Sequence, residues 1–129
     1  MSDGPYVVDA SAVLAVIFRE PGQEKVRPIL DDARISAVNL TEVVTRLIDR
    51  DASEEDIAAT LNDMCLKVVP FDSELAMAAA RLRGRTRAKG LSLGDRACVA
   101  LAVADQATVV TTDRAWAELD LPVPVLLIR

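Results

Sequence analysis

The chain has 129 residues, enough for one core and a single domain over residues 1–129, since a chain of this size buries roughly two thirds of its unfolded surface. Hydrophobic residues make up 51% of it but aromatic residues only 3%, so Val, Leu, Ile and Ala must build the core. A net charge of −5 speaks against general nucleic-acid affinity, no stretch reaches the roughly 20 apolar residues of a membrane span, and the lack of any histidine excludes imidazole as base or ligand.

Tyr6–Val8 reads as a short buried strand, because a compact apolar run ends at Asp9 and gives way to apolar residues at helical spacing, with Ser11 as the expected cap. The apolar stretch from Pro5 to Phe18 lacks a basic leader and carries Asp9, unlike a signal segment. Pro21-Gly22 ends this first helix, and a second runs from Gln23 to Asp31 with a kink or early end at Pro28. Arg34–Val38 is the next strand. From Asn39, residues Leu40, Val43, Val44, Leu47 and Ile48 mark an amphipathic helix, and Ser53 opens another.

Leu66–Val69 is a third strand. Asp72 or Ser73 then caps a long Ala-rich helix reaching about Lys89, where Gly90 stops it. Ser92 starts a helix through Ala104, Thr108–Thr111 is a fourth strand, Ala115–Leu119 a short helical turn, and Val123–Ile128 a fifth strand. Apolar strands alternating with helices predict an α/β fold, a three-layer α/β/α sandwich with a mainly parallel sheet.

Ligands of open α/β sheets bind beyond the carboxyl ends of the strands, where helix N-termini also point. Asp9 and Asp113 close strands, and Glu42 and Asp95 fall in the first turns of helices, so all four acids are expected on one rim. If the first and fourth strands are neighbours, Asp9 and Asp113 stand about 5 Å apart and call for a shared cation. Taken singly, each acid has a plainer use. Asn39-x-x-Glu42 and Ser92-x-x-Asp95 both have capping-box spacing, as does Ser53-x-x-Asp56, and Asp9 or Asp113 can serve a turn. Their convergence favours a divalent-metal site, and Asp95 shares a helix face with Cys98 and Ala102, continuing an apolar stripe.

At these residues the chain resembles the PIN-domain ribonucleases, most closely the VapC-type toxins of toxin–antitoxin modules. The matching segments are Val7-Val8-Asp9-Ala10-Ser11-Ala12, Asn39-Leu40-Thr41-Glu42-Val43, Leu91-Ser92-Leu93-Gly94-Asp95-Arg96-Ala97 and Thr111-Thr112-Asp113-Arg114-Ala115-Trp116, in an order that spans nearly the whole chain. The resemblance implies that Asp9, Glu42, Asp95 and Asp113 bind Mg²⁺ or Mn²⁺, with Ser11 and Thr112 orienting carboxylates. It also implies an RNA substrate, a VapB-type antitoxin partner and a homodimer. Hard oxygen ligands suit those ions, which acidify a water for attack on phosphorus. Asn39 departs from the Ser or Thr usual at its position.

Arg81, Arg83, Arg85, Arg87 and Lys89 place five cations in nine residues of an acidic protein. They read as an RNA phosphate track, as cations complementing a helix C-terminus, or as an antitoxin contact. Trp116 is expected to pack over its short helix, and Met64 and Met77 to serve the core or a dimer surface. Cys65 and Cys98 form no C-x-x-C or Cys/His pattern, which fits reduced thiols in a cytoplasmic protein and not a structural zinc. Two enzyme rivals lack residues they need. A haloacid-dehalogenase phosphatase requires an Asp where Ser11 stands, and a response-regulator receiver requires an acidic pair after the first strand. A non-catalytic interaction domain that keeps the acids for structure is the remaining alternative.

Overall fold

A computed structural model describes residues 5–86 and 90–129. Five strands, β1 (Tyr6–Val8), β2 (Ala33–Ser36), β3 (Lys67–Val69), β4 (Thr108–Thr111) and β5 (Val125–Leu127), form one parallel sheet in the order β3-β2-β1-β4-β5. Parallel neighbours need crossovers, which the helices α1 (Ala10–Ile17), α2 (Gln23–Val26), α3 (Ala37–Asp49), α4 (Glu54–Met64), α5 (Ser73–Arg81), α6 (Arg83–Thr86) and α7 (Leu93–Asp105) provide, except between β4 and β5, where a 3₁₀ segment at Arg114–Glu118 serves. The architecture is the predicted α/β/α sandwich.

The pleat divides the core. Tyr6, Val8, Ile35 and Val110 point to one face and pack with α1, α3 and Met64 of α4. Val7 and Val109 point to the other and meet α5, α7 and Trp116. α7 is buried through its middle, from Ala97 to Ala102, and its run of small residues lets it lie close on the sheet centre. β3, at the sheet edge, departs from the expected buried run: Lys67 and Val68 are exposed.

Several boundaries move for local reasons. Asp9, not Ser11, caps α1, its side chain accepting from Ala12 N, because the chain turns into the helix directly after β1. β2 stops at Ser36, whose hydroxyl accepts from Val38 N and starts α3 three residues before Asn39; the apolar pair Ala37-Val38 belongs to the helix. Asn39 is therefore inside α3, and Glu42 sits in its second turn. After Val26 the predicted second helix tightens to a 3₁₀ segment over Arg27–Asp32, with Pro28 at its start. The long Ala-rich helix breaks at Leu82 into α5 and the single turn α6, where Gly84 weakens helix propagation. Gly90, at φ +64, adopts the left-handed conformation that suits its predicted role as a stop.

Ile35 is fully buried, whereas Met77 is 54% exposed. Ile35→Ala should cost about 3 kcal/mol, and Met77→Ala under about 0.5 kcal/mol. Urea midpoints with unchanged m-values check both.

Candidate metal centre

The strand order reverses direction at β1 and β4. From β1 the chain steps outward to β2 and β3, then returns to place β4 on the opposite side of β1. A crevice opens beyond the carboxyl ends of two such strands, because their crossover helices diverge to opposite faces. Asp9 lies at its base. Asp9, Glu42, Asp95 and Asp113 all line one cavity of about 720 Å³ there, with Ser11, Asn39 and Thr112.

Asp9 is 6% exposed and holds three hydrogen bonds. Its Oδ1 accepts from Ser11 Oγ at 2.6 Å and Ala12 N at 2.9 Å, and its Oδ2 from Thr111 Oγ1 at 2.6 Å. Both hydroxyls are themselves oriented by backbone donors: Thr112 N–H donates to Ser11 Oγ and Asp113 N–H to Thr111 Oγ1, each at 3.1 Å. A hydroxyl that accepts on one side turns its proton to the other, so two relays run from the backbone amides just after β4 to one carboxylate.

Thr112 thus reaches Asp9 through its backbone amide, by way of Ser11, and the second hydroxyl on the carboxylate comes from Thr111. The cause is register. Val8 pairs with Val110, so the position beside Asp9 is Thr111 and not Asp113. Asp113 lies two residues further on and caps the 3₁₀ turn Arg114–Glu118 through Ala115 N. Counting residues from paired strands would have located Thr111, once the β1–β4 pairing was known.

Asp95 makes the capping box its spacing predicts: Asp95 N–H donates to Ser92 Oγ at 3.1 Å and Ser92 N–H to Asp95 Oδ2 at 3.0 Å. Ser53 and Asp56 do the same at α4, on a surface away from the cavity. A carboxylate has about four lone-pair sites, so one capping bond leaves Asp95 acceptor capacity toward the cavity.

Glu42 is held by residues whose roles the sequence did not disclose. Asn39 is 1% exposed and donates from Nδ2 to Glu42 Oε1 at 2.8 Å and to Gly94 O at 3.0 Å, clasping α3 to the start of α7. Its Oδ1 is buried without a hydrogen-bond partner. Gly94 supplies the room: a Cβ there would lie 2.7 Å from Glu42 Cδ and 2.8 Å from Oε1. In the sequence Asn39 stood out as a capping-box partner of Glu42 and as a departure from Ser or Thr; Ser36 takes the cap, and Asn39 keeps its link to Glu42 through its side chain, whereas Gly94 was visible only as part of a motif.

Burial pushes the Asp9 carboxyl up from 3.8 to about 6, outweighing the bonds from Ser11, Thr111 and Ala12, and the charge of Asp95 adds to the rise. Beneath the acids Cys98 is fully buried, and desolvation followed by the charges of Asp9, Asp95 and Glu42 raises its thiol pKa well above the ordinary value. Among the described residues no three His, Cys, Asp or Glu side chains form a ready-made metal cage, so the acids line the cavity walls without converging on a point. The donor set still fits a hard divalent cation: all four are carboxyl oxygens, and burial makes Asp9 the one whose proton a cation would most readily displace.

The basic run is not brought here. Arg81, Arg83 and Arg85 are exposed on α5 and α6 and do not line the cavity, and Arg85 donates to Asp120 O at 2.5 Å. Arg87 and Lys89 lie outside the described residues. The cations that line the cavity are Arg46 and Arg129. Trp116 is fully buried in the core, as expected.

Two expectations follow. Native Asp9 keeps its proton up to about pH 6 while the unfolded chain loses it near 3.8, so the unfolded state binds fewer protons in that window. The contribution is fully present below 3.8 and is lost as pH rises through about 6. In chelator, the stability of the parent minus that of Asp9→Asn should therefore fall by about 1–3 kcal/mol between pH 4 and 7, read from urea melts. Asn39→Ala should cost about 1–2 kcal/mol in chelator by stranding Gly94 O, and should weaken Mn²⁺ binding about tenfold in calorimetric titration by loosening Glu42.

The PIN-domain family matches over residues 6–121. A search of curated proteins finds no match by sequence. Among solved structures, the chain is similar to a chain of VapBC from Salmonella typhimurium bound to DNA, with TM-score 0.75 and 16% identity over 96% of this chain and 98% of that one. It is also similar to a chain of VapBC2 from Rickettsia felis bound to a promoter fragment, with TM-score 0.74 and 17% identity over 95% and 97%. A third is VapBC-5 from Mycobacterium tuberculosis, with TM-score 0.59 and 25% identity over 95% and 96%. With a family match from the first strand to beyond the last of the four acids, the chain belongs to the PIN-domain family.

Proposed function

We propose that the chain is a Mg²⁺- or Mn²⁺-dependent endoribonuclease, the VapC-type toxin of a type II toxin–antitoxin system. The observation that carries this reading is the set of four carboxylates lining one cavity at the sheet's switch point, in a PIN-domain chain. The similar solved structures are of toxin–antitoxin assemblies, which supports a VapB-type antitoxin as partner; the working form in this reading is a cytoplasmic homodimer. No helix among the described residues is long and apolar enough to cross a membrane.

Asp9, Glu42, Asp95 and Asp113 would hold the cation. When bound, it supplies positive charge against the phosphate and acidifies a water. The chain's own part is to fix the acceptors. Ser11 and Thr111 pin both oxygens of Asp9, and Asn39 pins one oxygen of Glu42. A carboxylate of the cavity receives the proton of the attacking water, and with no histidine in the chain the leaving oxygen takes its proton from solvent. The exposed Arg81 and Arg83 offer a surface to more distant RNA or to the antitoxin.

A non-catalytic reading has one observation in its favour: Asp9, Asp95 and Asp113 all cap helical segments. Cleavage of single-stranded RNA in Mn²⁺ separates the two. Asp9→Asn and Asp95→Asn should each lower it at least a hundredfold while remaining folded. Asp56→Asn, a cap outside the cavity, should keep full activity at a cost of about 0.5–1 kcal/mol. Undiminished cleavage by purified Asp9→Asn, with contaminating nucleases excluded, would overturn the assignment of the acids, and no cleavage by the parent would establish the non-catalytic reading.

A further inference from the structure

The cavity is far larger than a cation requires. An ion with a few waters fills little of 720 Å³, since each water takes about 30 Å³. The remainder runs away from the acids along two helices. Phe18 is nine residues beyond Asp9, at the far end of α1, about 13 Å along the helix. Arg46 is one turn beyond Glu42 on α3, and an i, i+4 pair shares a helix face. Both line the cavity, as does buried Leu14, which lies between Asp9 and Phe18 along α1.

The chemistry changes along this path. At the Asp9 end the walls are carboxylates; at the other they are an apolar ring, an aliphatic side chain and a guanidinium. Arg50 lies over one side of the Phe18 ring, 4.3 Å from its centroid, and the ring packs in part on the core, so it is held still with the remainder of its apolar surface toward the cavity. Glu20, the acid at this end, is engaged by Arg129 Nη1 at 3.4 Å, which leaves Arg46 as the cation facing the channel from α3. Apolar ring and cation side by side suit a nucleotide, which has an apolar base face and an anionic phosphate, and the base must be unstacked to reach the ring.

We infer that this end of the cavity binds one nucleotide of single-stranded RNA beside the cleaved bond, its phosphate on Arg46 and its base against Phe18. The inference rests on the nuclease reading above and adds to it the residues that select an unpaired substrate. It places the phosphate contact on α3 and not on the Arg81–Arg85 run.

The test uses the full chain in Mn²⁺ with a mixed-sequence single-stranded oligoribonucleotide. Arg46→Gln and Phe18→Leu should each raise KM about tenfold with kcat within about threefold, since neither touches the acids. Arg46→Gln should also flatten the salt dependence of RNA binding by roughly 0.7 in slope, and Phe18→Leu should leave that slope unchanged. Should Phe18→Leu fail to fold, Arg46→Gln, an exposed substitution, carries the test alone. If both fold and cut RNA with the parent's KM and slope, the inference is overturned while the nuclease reading stands; retained cleavage with lost binding of a co-expressed antitoxin would assign this end to a protein segment and likewise overturn it. If the parent cuts no RNA, the nuclease reading fails and takes the inference with it.

Discussion

Burial of the Asp9 carboxylate is the constraint on which the site depends. Sheet closure around β1 desolvates this acid, and the fold answers with three donors, two of them hydroxyls aligned by the amides of Thr112 and Asp113. That answer is incomplete, since the carboxyl still holds its proton to about pH 6. A buried anion so placed gains more from an added positive charge than an exposed one does, because the low-dielectric surroundings screen the attraction less. The same bonds tie the end of β1 to the end of β4 and make the switch point rigid.

Structural and chemical uses of the acids do not compete. Three of them cap helical segments, and a helix N-terminus carries partial positive charge that makes an anion tolerable there. Capping also removes rotamer freedom, so each acid is oriented before any ligand arrives. Glu42 is the exception: it stands in the second turn of α3, where no cap orients it, and the Asn39 clasp with the space at Gly94 takes over that task.

The sheet and its helices were legible because apolar runs and caps are local signals. Tyr6–Val8 and Thr108–Thr111 coincide with β1 and β4, and Ser53 and Ser92 start the helices assigned to them. Ala37-Val38 was misread because a short apolar pair has no period, so strand and helix look alike until Ser36 is seen to cap. The four acids could be placed on one rim from strand ends and helix starts alone. Thr111 could not be singled out, because its part depends on a pairing between residues about a hundred positions apart. The basic run stayed open between its uses for a related reason: charge density along the chain says nothing of which way a broken helix turns its cations.

The two thiols occupy opposite situations. Cys98 is sealed beneath three acids that hold it protonated, so it is a poor nucleophile toward alkylating reagents. Cys65 is exposed at the end of α4, ahead of β3, on the rim where strands begin. A maleimide dye should therefore attach at one place, across the sheet from the acids, and give a singly labelled protein without any engineered cysteine.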